Sequence, residues 1–139
     1  MARNELLQSL LADLMKINVN IHSLHWNIQD ESFMEYHELT EELYEDLFEK
    51  YDDVAEYLKM NDVFPIISLA EYDKLSEVEY YELKKFNKAE VIDKMIAAYE
   101  YLIGKFSAIR EDANNRDEFL LANKMEDYIG EYSKNLWML

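Results

Sequence analysis

His25 and His37, twelve residues apart, and the pair Asp52 and Glu56 further along the chain are the residues whose types and spacing could bind a transition metal. All three histidines (His22, His25 and His37) fall in one short segment, so any site that uses imidazole must be built there. Cysteine is absent, which excludes thiolate ligands and disulfides. His37 and Asp52 are 15 residues apart. On one continuous helix that is a net rotation of about 60° but a rise of roughly 22 Å, so a single ion cannot touch both within one chain. Asp52 and Glu56 form an i,i+4 pair roughly 5–6 Å apart, close enough to share a metal. An antiparallel two-fold partner would set the imidazole end of one helix against the carboxylate end of the other. That pairing makes two identical sites across an isologous interface.

The elements that must carry these residues are legible as apolar periodicity. Leu6, Leu10, Leu14, Ile17, Ile21 and Leu24, with Leu7 and Leu11, predict a helix from about Glu5 to Asn27, with His25 in its last turn. After an irregular link at 28–34, Leu39, Leu43, Leu47, Val54 and Leu58 predict a second helix with His37 near its start. Asn61-Asp62 and Phe64-Pro65 end it, since the residue before proline is pushed out of the α region. Ser68-Leu-Ala-Glu71 has the capping-box form and predicts a short helix to about Leu75, followed by an extended acidic stretch from Ser76 to Phe86. Ile92, Met95, Ile96, Tyr99, Leu102, Ile103, Phe106 and Ile109 predict the third long helix, capped by Asn87 with Glu90 and broken at Asn114-Asn115. Asn115 with Glu118 is the expected cap of a fourth, carrying Leu121, Met125, Tyr128, Ile129, Tyr132 and Leu136. Short links at 1–2 and 3–4 and a long crossover at 2–3, which lets helices two and three run parallel, are the connectivity of ferritin-like bundles.

Composition agrees. The 139 residues suit one domain, 1–139, and half of them are hydrophobic. Two glycines and one proline leave little turn chemistry for a β-rich fold, so the expected class is all-α. No run approaches the length of a membrane span, and Glu5 and Asp13 interrupt the first residues where a signal peptide would be apolar. A soluble, unexported cytoplasmic chain is expected. Fourteen basic against 30 acidic residues give a net charge of −16, which repels nucleic-acid phosphates and attracts cations. Gly104 and Gly130 fall inside expected helices at a cost of about 1 kcal/mol each, which points to close helix approach or a kink.

Taken together, His25-Trp26, His37-Glu38, Tyr44 and Asp52-Asp-Val-Ala-Glu56, with Ser68-Leu-Ala-Glu-Tyr72 and the terminal Leu136-Trp137-Met138-Leu139, resemble the signature of the Dps mini-ferritins, the DNA-binding proteins from starved cells. The resemblance spans nearly the whole chain. It implies a dodecameric cage of four-helix subunits that oxidises Fe(II), preferably with hydrogen peroxide, at a di-iron site on the two-fold interface and stores the ferric mineral. Carried over, it assigns His25, His37 and Glu41 of one subunit and Asp52 and Glu56 of its mate as metal ligands. Glu41 departs from the family's usual aspartate. Trp26 would be the residue oxidised in place of a diffusible radical, and His22 would make a structural hydrogen bond.

The resemblance also implies acidic pores for iron near the start of the fourth helix. Asn123 stands where a principal pore aspartate would be, with Asp117, Glu118 and Glu126 nearby. DNA binding in the family commonly uses a lysine-rich extension. Here only Met1 to Asn4 are expected before the first helix, so DNA binding is not expected at physiological salt. A ferritin with a di-iron centre inside each subunit would need Glu-x-x-His, which occurs nowhere in the chain. The remaining alternative is a non-enzymatic ferritin-like cage or signalling protein with a structural zinc or manganese site.

Overall fold

A computed structural model describes residues 3–139 and contains five helices: α1 (Arg3–Asn27), α2 (Phe33–Met60), α3 (Leu69–Leu75), α4 (Lys88–Asn115) and α5 (Phe119–Met138). No strand occurs among the described residues; there is one isolated parallel bridge, Ile28 with Phe86. Helix α1 begins at Arg3, so Arg3 and Asn4, expected before the helix, are helical; Met1 and Ala2 lie outside the described residues. The chain divides into two compact units, Asn4–Val91, and Ile92–Leu139 together with Arg3.

In the first unit α1 is buried on nearly every side. Leu7, Leu10, Leu11, Leu14, Ile17, Ile21 and Leu24 are buried as the periodicity predicts. Each such side chain contributes roughly 1.5–3 kcal/mol by leaving water. Ser9, Asp13, Lys16 and Asn20 are buried too, and they follow i, i+4, i+7, i+11, a second stripe along the same helix. This polar stripe holds the connector between α2 and α4. Ser9 donates to the Leu75 carbonyl, Ser76 donates to Asp13 at 2.5 Å, and Lys16 reaches the Ser76 carbonyl and Asp73. Asn20 spans the chain by donating to the Glu79 carbonyl and accepting from the Tyr81 N–H. One residue before the stripe, Gln8 does the same between Phe64 and Ile66. The connector, mostly exposed, thus finds partners for its inward-facing backbone groups on the helix it lies against.

In the second unit the rings of Tyr99 and Phe106 on α4 meet those of Tyr128 and Tyr132 on α5, with centroids 5.0–5.8 Å apart. Met95, Leu102, Leu121 and Met125 are buried with them. Helices α2 and α4 end in the same way. Asp62 and Asp117 adopt left-handed φ of 59° and 58°, and the next residues, Val63 and Glu118, donate back to Leu58 and Ala113. These are Schellman turns that satisfy the last carbonyls, with aspartate in the position glycine usually takes. Asn115 is therefore the last residue of α4 and not the cap of α5, whose N-cap is Glu118 without a side-chain bond. The other two expected caps form. Ser68 accepts from the Glu71 N–H, and Asn87 and Glu90 bond each other's backbone N–H at 3.2 and 2.9 Å. At Gly104 and Gly130 an added Cβ would meet nothing within 4 Å, so close approach of another helix among the described residues does not explain either glycine.

Candidate metal centre

The last turn of α1 and the first turns of α2 bring His25 and His37 together. Their rings stack with centroids 3.6 Å apart and planes 16° from parallel. His25 Nδ1 donates to the His37 carbonyl at 2.7 Å, and His37 Nδ1 donates to the His25 carbonyl at 2.9 Å. A carbonyl only accepts, so both Nδ1 atoms carry hydrogen, and Nε2 is the ring nitrogen left to bind a metal through its lone pair. Helix physics supplies one of these acceptors, because the last four carbonyls of α1 have no intrahelical partner. Leu24 is served by Ile28, Asn27 by Phe86, and His25 by the His37 ring.

His25 is 5 % exposed, and burial holds its imidazolium below the usual histidine range, partly offset by the bond to the His37 carbonyl. Desolvation thus keeps the ring in the neutral form that ligation needs. Thr40 lies beneath it, fully buried, with its hydroxyl 3.1 Å from His25 Nδ1. Thr40 was not among the residues expected at the site. The signal was there: it interrupts the buried stripe Tyr36, Leu43, Leu47, Val54 and Leu58, and a polar residue in an apolar stripe must have a partner.

Asp52 and Glu56 lie on α2, the same unbroken helix as His37, so the rise of roughly 22 Å stands. Both are exposed. Among the described residues no three His, Asp or Glu side chains come together as a metal site. The chain brings His25 and His37 together and leaves Asp52 and Glu56 apart from them. Glu41 is exposed, accepts from the Tyr44 hydroxyl at 3.3 Å and acts electrostatically on His25.

The aromatic surroundings are continuous. Phe33 stacks on His37, Tyr44 meets His25 edge-on, and His22 stacks on Tyr44 with centroids 3.8 Å apart. His22 Nδ1 donates to the Asn18 carbonyl, the structural bond expected of it. Trp26, 69 % exposed, lies 5.5 Å from the His22 ring. Near the start of α5, Glu118 pairs with Arg3 and Glu126 with Arg110, each at 3.0 Å. Two of the three acidic residues proposed to attract iron are thus paired with arginines.

Residues 4–139 match the ferritin-like domain family. The chain is 32 % identical over 134 residues to the DNA protection during starvation protein of Porphyromonas gingivalis, covering 96 % of this chain and 83 % of that one. It is 27 % identical over 135 residues to the protein of the same name from Helicobacter pylori, covering 97 % and 94 %. The crystal structure of Helicobacter cinaedi CAIP superposes with a TM-score of 0.95 at 29 % identity, covering 99 % and 96 % of the two chains. The Dps protein of Vibrio cholerae O1, described as one of a broad superfamily of ferritin-like diiron-carboxylate proteins, superposes with a TM-score of 0.91 at 29 % identity, covering 98 % and 84 %. The five helices therefore have the ferritin-like arrangement expected from the sequence, a four-helix bundle with the short α3 in the connection between its second and third helices.

Proposed function

Because the chain belongs to the ferritin-like family, and within it to the Dps mini-ferritins, we propose that it oxidises Fe(II) at a site shared by two subunits and stores the ferric product in a dodecameric cage. The observation that carries this reading is the reciprocal bonding of His25 and His37, which presents two Nε2 lone pairs with no third ligand within the described chain. His25, His37 and Glu41 of one subunit would face Asp52 and Glu56 of its mate across a two-fold axis. The chain acts as one domain over 1–139.

Fe(II) is the substrate, and the ligand set suits it: imidazole and carboxylate both bind Fe(II), and carboxylates also tolerate the harder Fe(III). Two Fe(II) ions each give up one electron. Hydrogen peroxide accepts both, its O–O bond breaks, and with two protons it leaves as two waters; dioxygen is the alternative oxidant. Delivery of electrons in pairs avoids hydroxyl radical, so the function is protection as much as storage. The two histidines and the carboxylates position the ions so that this pairing occurs. Trp26, exposed beside His22, would give up an electron to an oxidant that escapes pairing, and Trp26→Phe would raise the yield of spin-trapped radical per iron oxidised.

Among the described residues no helix is long and apolar enough to cross a membrane, and we place the protein's work in the cytoplasm. Stopped-flow absorbance after anaerobic loading with Fe(II) and addition of peroxide or dioxygen tests the whole reading. Rapid oxidation that Asp52→Ala abolishes supports it. A rate equal to that of free iron, or an Asp52→Ala protein as fast as its parent, would favour a non-enzymatic cage with a structural zinc or manganese site.

A further inference from the structure

We propose that Thr40 is a positioning residue whose buried hydroxyl sets the ring plane of His25 and so aims its Nε2 at a divalent metal. This rests on the reading of His25 and His37 as ligands. Thr40 is fully buried, and its Oγ1 lies 2.8 Å from the Tyr36 carbonyl, 3.0 Å from the His37 carbonyl and 3.1 Å from His25 Nδ1. A hydroxyl has one hydrogen and two lone pairs. Both carbonyls can only accept, so the hydrogen goes to one of them and a lone pair is left for the His25 Nδ1–H. That N–H is therefore shared between two acceptors, the His37 carbonyl at 2.7 Å and Thr40 Oγ1.

Two acceptors do what one cannot. A single carbonyl fixes which nitrogen carries the hydrogen but lets the ring swing about its χ2 bond, whose energy wells are broad. A second acceptor from a different direction restricts that swing. The restriction matters because the Nε2 lone pair lies in the ring plane, so a tilted ring aims it away from the ion. Thr40 also contacts the carbonyl of His37, the other acceptor of the His25 Nδ1–H, so one hydroxyl touches both His25 and its support. Apolar packing alone would be served by a valine here, since the neighbouring stripe residues Leu43 and Leu47 are buried and apolar.

The test is Co(II) binding to the assembled, metal-free protein, followed by visible absorbance, with thermal midpoints of the metal-free proteins measured alongside. Thr40→Val, which keeps the shape and removes the hydroxyl, is expected to weaken Co(II) binding by roughly 10-fold or more, the usual effect of losing a partner behind a ligand. Thr40→Ser is expected to retain the parent's affinity. If Thr40→Val does not assemble, Thr40→Ala against Thr40→Ser makes the same comparison, since the two differ only in the hydroxyl. Parent-like binding by the variant lacking the hydroxyl, or equal loss in Thr40→Ser, overturns the proposal. Co(II) binding by the parent that His37→Ala leaves intact would instead overturn the assignment of the ligands, and this proposal with it.

Discussion

The Nδ1 of His37 donates at 2.9 Å to the carbonyl of His25, a group that α1 at its C-terminal end leaves without a helical partner. One ring therefore closes a helix and offers a metal its other nitrogen. His37→Ala is expected to lower the thermal stability of the metal-free protein, by roughly 1 kcal/mol for the lost bond, as well as removing metal affinity. Asp52→Ala removes an exposed side chain and is expected to change metal-free stability by less than about 0.5 kcal/mol while abolishing rapid iron oxidation. Equal effects of the two substitutions on the metal-free melt would contradict this division.

The proposed sharing of the site between subunits makes a mixing experiment decisive. A His37→Ala protein and an Asp52→Ala protein, each inactive alone, are unfolded, mixed and reassembled. A mixed pair holds one site with both defects and one with neither. Random pairing through a two-fold interface then restores about a quarter of the parent's sites. Recovery absent in verified mixed assemblies would mean that His37 and Asp52 do not complete one site across the interface.

Asp117 and Asp62 hold left-handed φ without glycine's freedom. Asp117→Gly keeps the Schellman bonds and relieves the steric cost of a Cβ there, so it is expected to stabilise the protein by roughly 0.5–1 kcal/mol. A fall in thermal midpoint would mean that the carboxylate itself contributes at this turn.

Burial pushes the Tyr81 phenol up to about 12, above its ordinary value near 10. Between those values the unfolded chain has lost a proton that the folded chain keeps. Stability from this residue is complete below pH 10 and falls as pH rises toward 12, by roughly 2–3 kcal/mol in all. Denaturation measured from pH 9 to 12 should show a steeper loss in the parent than in Tyr81→Phe. Parallel curves would sink the assignment.

The relatives are named for DNA protection, while this chain carries a net charge of −16. Protection by removing iron and peroxide needs no contact with DNA, and we expect no retardation of duplex DNA in a gel shift at neutral pH and physiological salt without added iron. Retardation there would show a basic surface that net charge conceals.

The long helices and the caps at Ser68 and Asn87 could be read because they depend on residues close together in sequence, an apolar repeat or a side chain three positions from its backbone partner. The candidate ligand positions, and the rise of roughly 22 Å from His37 to Asp52 along α2, were legible for the same reason. Ser9, Asp13, Lys16 and Asn20 were not. Their partners lie some 60 residues away on the connector, so each looked like a solvated polar position on α1. Thr40 escaped likewise, since its histidine partner is on another helix. The misread cap at Asn115 has a local cause: a Schellman turn closed by aspartate looks, in sequence, like a loop leading into a new helix.

Because the His25 carbonyl and the His37 ring share one hydrogen bond, fraying of α1 at its end and loosening of the proposed chelating pair are a single event. Occupancy by an ion should therefore slow amide hydrogen exchange at Ile28 and Gln29, residues outside the ligand set. The α1–α2 corner is in that sense a latch, and an ion held at the proposed site would leave a protection pattern along the backbone.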